Sequence, residues 1–311
     1  MANEIDNIQT NLIETNALIE EHIHGGFGFD FLYCSAEDIV EFAKRITDYG
    51  VWGFFPTLAT DTVERLKQQI SEIKRAKSML PENAADILGV HLEACFLNPE
   101  KKGIHDEKQL LAPSIENYKL IEDDFVKIVT LAPELDKGFE LCKYLSSKGV
   151  KVSAGHCTGS DLSAVSQVTH LFNAMGTFSH KSLSTVVSAL SDDRIAAEII
   201  ADFRHVLPEV VKLVFRSKPL EKIILISDAL PLAHSTLESI VFCGKTVFLK
   251  DNKAVDANGT MAGSTMFVYD IIKQLVRNGF CDLQTAAKMA STNIMPVTRK
   301  IYWDNDLNIV K

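Results

Sequence analysis

The sequence predicts an α/β fold, specifically a (β/α)8 TIM-like barrel, as a single metal-dependent hydrolase domain over residues 1–311. Apolar, strand-like runs alternate along the chain with charged, helix-like stretches, the pattern of parallel strands joined by crossover helices. Eight such runs occur, the number that closes a barrel of this kind. Hydrophobic residues make up 46% of the 311 residues, enough for one large core. A doubly wound open sheet is the structural alternative.

The strand-like runs are short, apolar and rich in β-branched or aromatic residues. In chain order they are LIEEHIHGG (18–26), VWGFFPTLA (51–59), DILGVHLE (86–93), DFVKIVTLAPE (124–134), VKVSAGH (150–156), VTHLF (168–172), AAEIIAD (196–202) and KIILISDA (222–229). The first helical pattern between them begins after an N-cap at Ser35 and ends at Gly50.

Residues 238–260 interrupt this alternation. They alternate apolar and polar residues around CGK and KDN turns, which predicts a β-hairpin inserted after the eighth strand. Helical patterns follow at roughly 264–278 and 283–291.

The composition excludes several functions. The net charge is −9 and no Lys/Arg cluster occurs, which argues against nucleic acid and anionic membranes as partners but permits a small anionic substrate. No apolar run reaches the roughly 18 residues of a membrane span, and the polar start MANEIDNIQTN does not resemble a secretory signal. The six cysteines form no CxxC pair, so we expect reduced thiols and a cytoplasmic location.

Polar residues end most of the strand-like runs, where barrel enzymes place catalysis. They are His22 and His24 in the first run, Glu93 in the third, His156 in the fifth, His170 in the sixth and Asp228 in the eighth, with His205 shortly after the seventh. The HxH pair places two imidazoles on one face of an extended chain. Taken singly, such a histidine is more often structural, Asp228 could be a helix N-cap, and the pair could orient substrate or pack at the barrel mouth.

Together these residue types predict a divalent metal hydrolase. Imidazole and carboxylate ligands suit Zn²⁺ or Fe²⁺, one or two ions per chain. A metal lowers the pKa of bound water from 15.7 to about 7, and an adjacent aspartate can move the proton.

The motif HLEACFLNPEKKGIH (91–105) resembles HLEGPFLNPEKKGAH of the N-acetylglucosamine-6-phosphate deacetylase family, in the amidohydrolase superfamily. Other motifs similar to those of the family occur in the family's order on both sides of it, across most of residues 20–295. They are HIHGG, FFPTLAT, KIVTLAPE, VSAGH, VTHLFNAM, IIADFRHV, ISDA and GTMAGS. The resemblance implies hydrolysis of N-acetylglucosamine 6-phosphate to glucosamine 6-phosphate and acetate by metal-bound hydroxide, a step of amino sugar metabolism. It also implies a homodimer in which the neighbouring chain helps to complete the phosphate site.

The resemblance also assigns roles to individual residues. It implies that the main metal is held by Glu93, His156 and His170, and that a second metal, in some members, is held by His22 and His24. Asp228 matches the general acid/base, and His105 the histidine that polarises the substrate carbonyl. Substrate-binding positions match Ile104, Asn173, Ala174, Lys181, His205, Met261, Ala262 and Gly263.

The chain departs from the family pattern at several positions. Ala94-Cys95 replaces Gly-Pro, Phe203 replaces glycine, and Lys181 replaces an arginine that grips phosphate. Lysine binds phosphate without the bidentate fork of arginine; Lys181 could instead be a solvated surface residue, and Cys95 a buried packing thiol. Because about twenty residues precede His22 and the tail is short, we expect the family's small β-sandwich to be reduced or absent. Two other functions stay open: a related amidohydrolase acting on a different amide, and a catalytically inactive paralogue that binds a sugar phosphate.

Overall fold

A curled sheet of eight parallel strands forms the centre of the computed structural model, which describes residues 12–310. The strands are β1 (Leu18–Ile23), β2 (Val51–Ala59), β3 (Val90–Glu93), β4 (Val126–Leu131), β5 (Lys151–Ala154), β6 (Gln167–Val168), β7 (Ala196–Ile199) and β8 (Ile223–Leu225). Each strand pairs with its neighbours in chain order. Every apolar run of the sequence overlaps one of these strands, so the predicted parallel sheet is confirmed.

The two edge strands of this sheet meet just beyond their carboxyl ends. A parallel bridge joins Ile23 to Ala229. The backbone N–H of Asp228 donates to the carbonyl of His22 at 3.0 Å, and that of His24 donates to Ala229 at 2.9 Å. These bonds bring the ends of β1 and β8 together, and with them the polar residues that follow both strands.

Eight α-helices accompany the sheet in the described part of the chain. They are α1 (Ala36–Arg45), α2 (Val63–Met79), α3 (Ile115–Lys119), α4 (Glu140–Ser147), α5 (Thr185–Ser191), α6 (Pro208–Ser217), α7 (Val268–Arg277) and α8 (Leu283–Met289). Helix α1 starts with the predicted cap, because Ser35 Oγ accepts from Asp38 N at 3.2 Å and the Asp38 carboxylate accepts from Ser35 N. A 3-10 turn then ends at left-handed Gly50. No described helix is long and apolar enough to cross a membrane.

The predicted hairpin at 238–260 is a four-stranded antiparallel sheet. Its strands are Ser239–Phe242, Lys245–Lys250, Lys253–Asp256 and Met261–Gly263. The first two turns, at Cys243–Gly244 and Asp251–Asn252, have positive φ values between 48° and 73°, as two-residue hairpin turns require. The hairpin prediction was therefore too small, because the third turn brings the GTMAGS loop into the same sheet.

A three-stranded sheet joins the two ends of the described chain. It contains Ile13–Asn16, Lys300–Trp303 and Ile309–Val310. The indole N–H of Trp303 donates to Thr15 Oγ1 at 2.8 Å, and both residues are buried. The sequence analysis did not predict this sheet, because its strands lie almost 300 residues apart. Shorter strands pair Gly25–Gly26 with Phe29–Asp30, and Asp86–Ile87 with β2.

Candidate active site

Six predicted residues converge at the carboxyl ends of the strands. They are His22, His24, Glu93, His156, His170 and Asp228, and none is more than 8% exposed. Parallel strands end on one edge of the sheet, so residues far apart in sequence meet there.

The Glu93 carboxylate lies at the centre of this cluster. Its Oε1 is 3.1 Å from His156 Nε2 and 2.8 Å from His170 Nε2. Its Oε2 is 3.1 Å from His24 Nε2 and 3.4 Å from His22 Nε2. One carboxylate therefore joins two groups of imidazoles, one on each oxygen.

Three groups of ligand atoms among the described residues are compact enough to hold a metal ion; two of them share Glu93, and the third, His22, His91 and Glu198, does not include it. Of the two that share Glu93, one set is Glu93, His156 and His170, and the other is His22, His24, Glu93 and Asp228. In the second set, Asp228 Oδ1 lies 3.3 Å from His24 Nε2 and 3.5 Å from His22 Nε2. The two sets share Glu93, so the cluster could hold one metal or two.

The hydrogen bonds of these imidazoles fit a bound cation. His24 Nδ1 lies 3.2 Å from the carbonyl of Thr57, and His156 Nδ1 lies 2.8 Å from the carbonyl of Lys101. A carbonyl can only accept, so Nδ1 carries the proton and the lone pair of Nε2 points at Glu93. Such a lone pair would repel the buried carboxylate, so Nε2 must meet a cation there, either a proton, as the raised pKa of His24 favours in the protein alone, or a bound metal ion. Imidazole and carboxylate ligands arranged in this way suit a divalent metal.

The electrostatics of the protein groups give the same result. Burial lowers the pKa of His24, but its contacts with Asp228 and Glu93 raise it to about 9. Burial alone would raise the pKa of Glu93, but the charge of His22 and the hydrogen bonds of neighbouring histidines hold it well below its ordinary value. The carboxylates thus stay charged and require positive charge in the cluster.

Backbone strain is concentrated at this site. His156, His170, Ala174 and Asp228 have φ values of 48°, 33°, 49° and 51°, in the left-handed region that non-glycine residues rarely adopt. Each such residue costs of the order of 1–3 kcal/mol and persists where the surrounding structure enforces it, typically at functional sites. The strain turns three of the predicted polar side chains and one cavity-lining residue away from the regular strand path.

A cavity of about 280 Å³ opens beside the cluster. Seven predicted substrate positions line it, namely Ile104, Asn173, Ala174, His205, Met261, Ala262 and Gly263. Among the described residues, the lining does not include Lys181, which lies exposed where its backbone N–H donates to Ser179 Oγ. Substrate binding by Lys181 therefore stays a prediction, and the segment after Ala174 carries that lysine to the surface of this chain.

The sequence analysis missed other cavity residues. Glu100, Lys101, Gly103, Phe242 and Thr260 also line the cavity. Three of these belong to the HLEACFLNPEKKGIH motif, which could have indicated them. Phe242 and Thr260 come from the four-stranded sheet, and only the tertiary fold brings that sheet to the cavity.

His105 differs from the other histidines. The backbone N–H of Thr60 donates to His105 Nδ1 at 3.3 Å, and Thr60 Oγ1 lies 2.9 Å from the same atom. A backbone N–H can only donate, so Nδ1 accepts and Nε2 carries the proton. Burial lowers the pKa of His105 to about 4, so the ring is neutral. Its Nε2, 3.7 Å from Glu93, is therefore a hydrogen-bond donor beside the cavity.

Two of the departures from the family pattern, Cys95 and Phe203, are packed side chains next to residues of the site. Cys95 is fully buried with φ 65°, its N–H donates to Thr60 Oγ1 at 3.2 Å, and burial raises its thiol pKa to about 12. It is a packed, unreactive thiol. Phe203 has φ 59° and its ring packs against Phe280. Asp202 beside it accepts from His205 Nδ1 at 2.7 Å, which fixes that imidazole at the cavity.

Comparisons with known proteins identify one family. No protein family model matches the sequence. The chain is 31% identical to a human N-acetylglucosamine-6-phosphate deacetylase, over 88% of this chain and 71% of the relative. It is 34% identical to the mouse protein of that name over the same shares, and 29% identical to that of Bacillus subtilis, over 89% and 73%.

Solved structures of proteins with this name share the fold. The chain superposes on that of Thermotoga maritima with a TM-score of 0.86 and 27% identity, over 96% of this chain and 86% of the other. For Pasteurella multocida the TM-score is 0.82 at 28% identity, over 96% and 84%. Because its sequence is 31% and 34% identical to the human and mouse proteins over most of both chains, this chain belongs to the N-acetylglucosamine-6-phosphate deacetylase family.

Proposed function

We propose that this chain hydrolyses the N-acetyl group of N-acetylglucosamine 6-phosphate, giving glucosamine 6-phosphate and acetate. Membership of the family supports this activity. The observation that carries it is the buried cluster around Glu93, with Asp228 and the donor Nε2 of His105 beside one cavity. We also propose that the curled sheet is a closed (β/α)8 barrel and one domain, supported by the bonds that join β1 to the end of β8.

The metal in this proposal is Zn²⁺ or Fe²⁺, in one or two copies per chain. Glu93, His156 and His170 would hold the main ion, and His22 and His24 would contribute to holding a second. When bound, a divalent metal polarises a carbonyl and lowers the pKa of a water molecule.

Asp228 moves the proton in this mechanism. Burial raises its pKa, but the charge of His22 and its hydrogen bond with His24 lower it below the ordinary value, so it is a carboxylate at neutral pH. It can accept the proton of the attacking water and pass it to the leaving amine, which becomes the amino group of the sugar.

His105 stabilises the charge that develops on the carbonyl oxygen. Its neutral ring presents an N–H to the cavity because Thr60 holds the other nitrogen as an acceptor. A preorganised donor of this kind is typically worth about 10²–10³ in kcat.

The sugar occupies the cavity lined by Asn173, Ala174 and residues 261–263, and His205, oriented by Asp202, contacts the phosphate. We further propose a homodimer. Phe178 and Leu183 flank Lys181 and are 65% and 71% exposed, an apolar surface that a second copy could cover. In that dimer Lys181 would serve the phosphate site of the neighbouring chain. A cytoplasmic location stays a prediction from the sequence.

A substrate panel tests this function. Acetate release should be at least about tenfold more efficient with N-acetylglucosamine 6-phosphate than with N-acetylglucosamine, because a charge-assisted hydrogen bond contributes about 1.5–3 kcal/mol. Equal efficiency on both sugars would favour the second candidate function, an amidohydrolase for a different amide. The position of Lys181 outside the cavity of its own chain is the observation that motivates this candidate.

A further inference from the structure

A buried glutamate in β7 contacts the cluster from outside the two ligand sets that share Glu93. Glu198 is fully buried, and its Oε2 lies 3.2 Å from His22 Nδ1. The Gln167 side-chain amide donates to Glu198 Oε1 at 2.8 Å, and the backbone N–H of His170 lies 3.4 Å from Oε2. In the described chain no lysine or arginine pairs with this carboxylate.

Both oxygens of Glu198 thus face N–H donors, so the carboxylate also accepts a hydrogen bond from the Nδ1–H of His22. The neutral imidazole then has its lone pair on Nε2. That nitrogen lies 3.4 Å from Glu93 Oε2, 3.4 Å from His24 Nε2 and 3.5 Å from Asp228 Oδ1. The lone pair of His22 therefore points into its ligand set.

Within the two ligand sets that share Glu93, the tautomers of His24 and His156 are fixed by backbone carbonyls, those of Thr57 and Lys101. A side-chain substitution leaves such a carbonyl in place. His22 is different, because a side chain, the buried Glu198, sets its tautomer.

We propose that Glu198 is a positioning residue that holds His22 as a metal ligand and so determines whether the ligand set of His22, His24, Glu93 and Asp228 binds its ion. This inference rests on the metal-dependent hydrolase proposed above. A carboxylate that orients a ligand histidine typically contributes a factor of about 10–100 to metal affinity.

The test titrates chelator-treated protein with Zn²⁺ in competition with a chromophoric chelator. The wild type is expected to show two binding classes, and His22→Ala identifies the class that depends on His22. Glu198→Leu removes the acceptor and should weaken that same class about 10–100-fold while leaving the other unchanged. Glu198→Gln keeps a neutral acceptor and the side-chain volume, so it should reduce the affinity of this class by a smaller factor. It replaces the leucine variant in the test if that variant does not fold.

Thr130→Val is the matched control. Thr130 Oγ1 lies 2.8 Å from His91 Nε2 in the same buried interior, and His91 belongs to neither of the two ligand sets that share Glu93. This variant should keep both affinities.

Three results would overturn the inference: one Zn²⁺ per chain in the wild type, unchanged affinities in both Glu198 variants, or an equal loss in Thr130→Val. Because the readout is metal affinity, it is separate from acetate release. A one-metal enzyme could release acetate while this inference fails, and a two-metal protein could bind as expected while the proposed substrate is wrong.

Discussion

Two kinds of histidine surround the same carboxylate. His24 and His156 each lie 3.1 Å from an oxygen of Glu93, and His105 lies 3.7 Å from it. The first two bind a backbone carbonyl through Nδ1, whereas His105 accepts there from a backbone N–H. The partner on the far nitrogen therefore decides the chemistry of the near one, a metal ligand in two cases and a hydrogen-bond donor in the third.

The pKa values follow the same division. His24 lies between two carboxylates, which raise its pKa to about 9 against the effect of burial. For His105 burial dominates and lowers the pKa to about 4, despite the Glu93 carboxylate 3.7 Å away. His24 thus occupies a place that requires positive charge, and His105 a place for a neutral ring.

Exchanging each kind of histidine for glutamine should separate the two roles. His156→Gln should lose the main metal and reduce acetate release by more than about 10³-fold, since the metal is worth several kcal/mol. His105→Gln keeps a side-chain donor and should retain the metal with a loss of about 10²-fold or less. Elemental analysis and steady-state kinetics measure both. Metal loss in His105→Gln would remove the distinction between them.

Asp228 tests the acid/base part of the site. Asp228→Asn should lower kcat about 10²–10⁴-fold, because the amide cannot accept the proton. The metal at Glu93, His156 and His170 should remain, since Asp228 is not in that set. Turnover close to that of the wild type with metal bound would contradict the mechanism.

Thr60 offers a finer test of His105. Thr60→Val removes the hydroxyl 2.9 Å from His105 Nδ1 and leaves the backbone N–H in place. The expected loss in kcat is about fivefold, from roughly 1 kcal/mol for one hydrogen bond, with metal content unchanged. No change in kcat would mean that the backbone donor alone orients the ring.

Carboxylates also depend on their surroundings, and the smallest expected effect concerns a glutamate whose hydrogen bond in the described chain is to a backbone N–H and not to a histidine. Glu20 is fully buried and accepts from Val268 N at 2.8 Å; burial raises its pKa to about 8. Between its ordinary pKa and pH 8 the folded protein keeps a proton that the unfolded chain has released. The free energy of unfolding should therefore fall as pH rises, by at most about 1.4 kcal/mol per pH unit.

Glu20→Gln removes this titration and should flatten the dependence. Urea denaturation of both proteins at pH 5.5, 6.5 and 7.5 measures it. Parallel dependences in wild type and variant would show that Glu20 ionises normally in the folded state.

The sequence was sufficient for the parallel strands and for the residues at their ends. Both are local patterns, an apolar run followed by a histidine or a carboxylate, and the fold then brings the strand ends together. The HxH pair and the motif around Glu93 are of this kind, and the structure places them in one cluster.

Features that depend on distant contacts could not be predicted in this way. The strand Ile13–Asn16 pairs with Lys300–Trp303, and neither segment shows a pattern that identifies its partner. The tautomers of His24 and His156 depend on backbone carbonyls, which are present at every residue and leave no mark in a sequence. Lys181 was placed by its spacing from a motif, but tertiary packing sets the path of a loop.

The most direct test of the account measures metal and activity in one sample. Protein purified without chelator is analysed for metals per chain and assayed for acetate release from N-acetylglucosamine 6-phosphate. The account predicts one or two divalent ions per chain and acetate release that stops on chelation and returns with Zn²⁺ or Fe²⁺. Acetate release from metal-free protein, or no metal and no release after either ion is added, would contradict it.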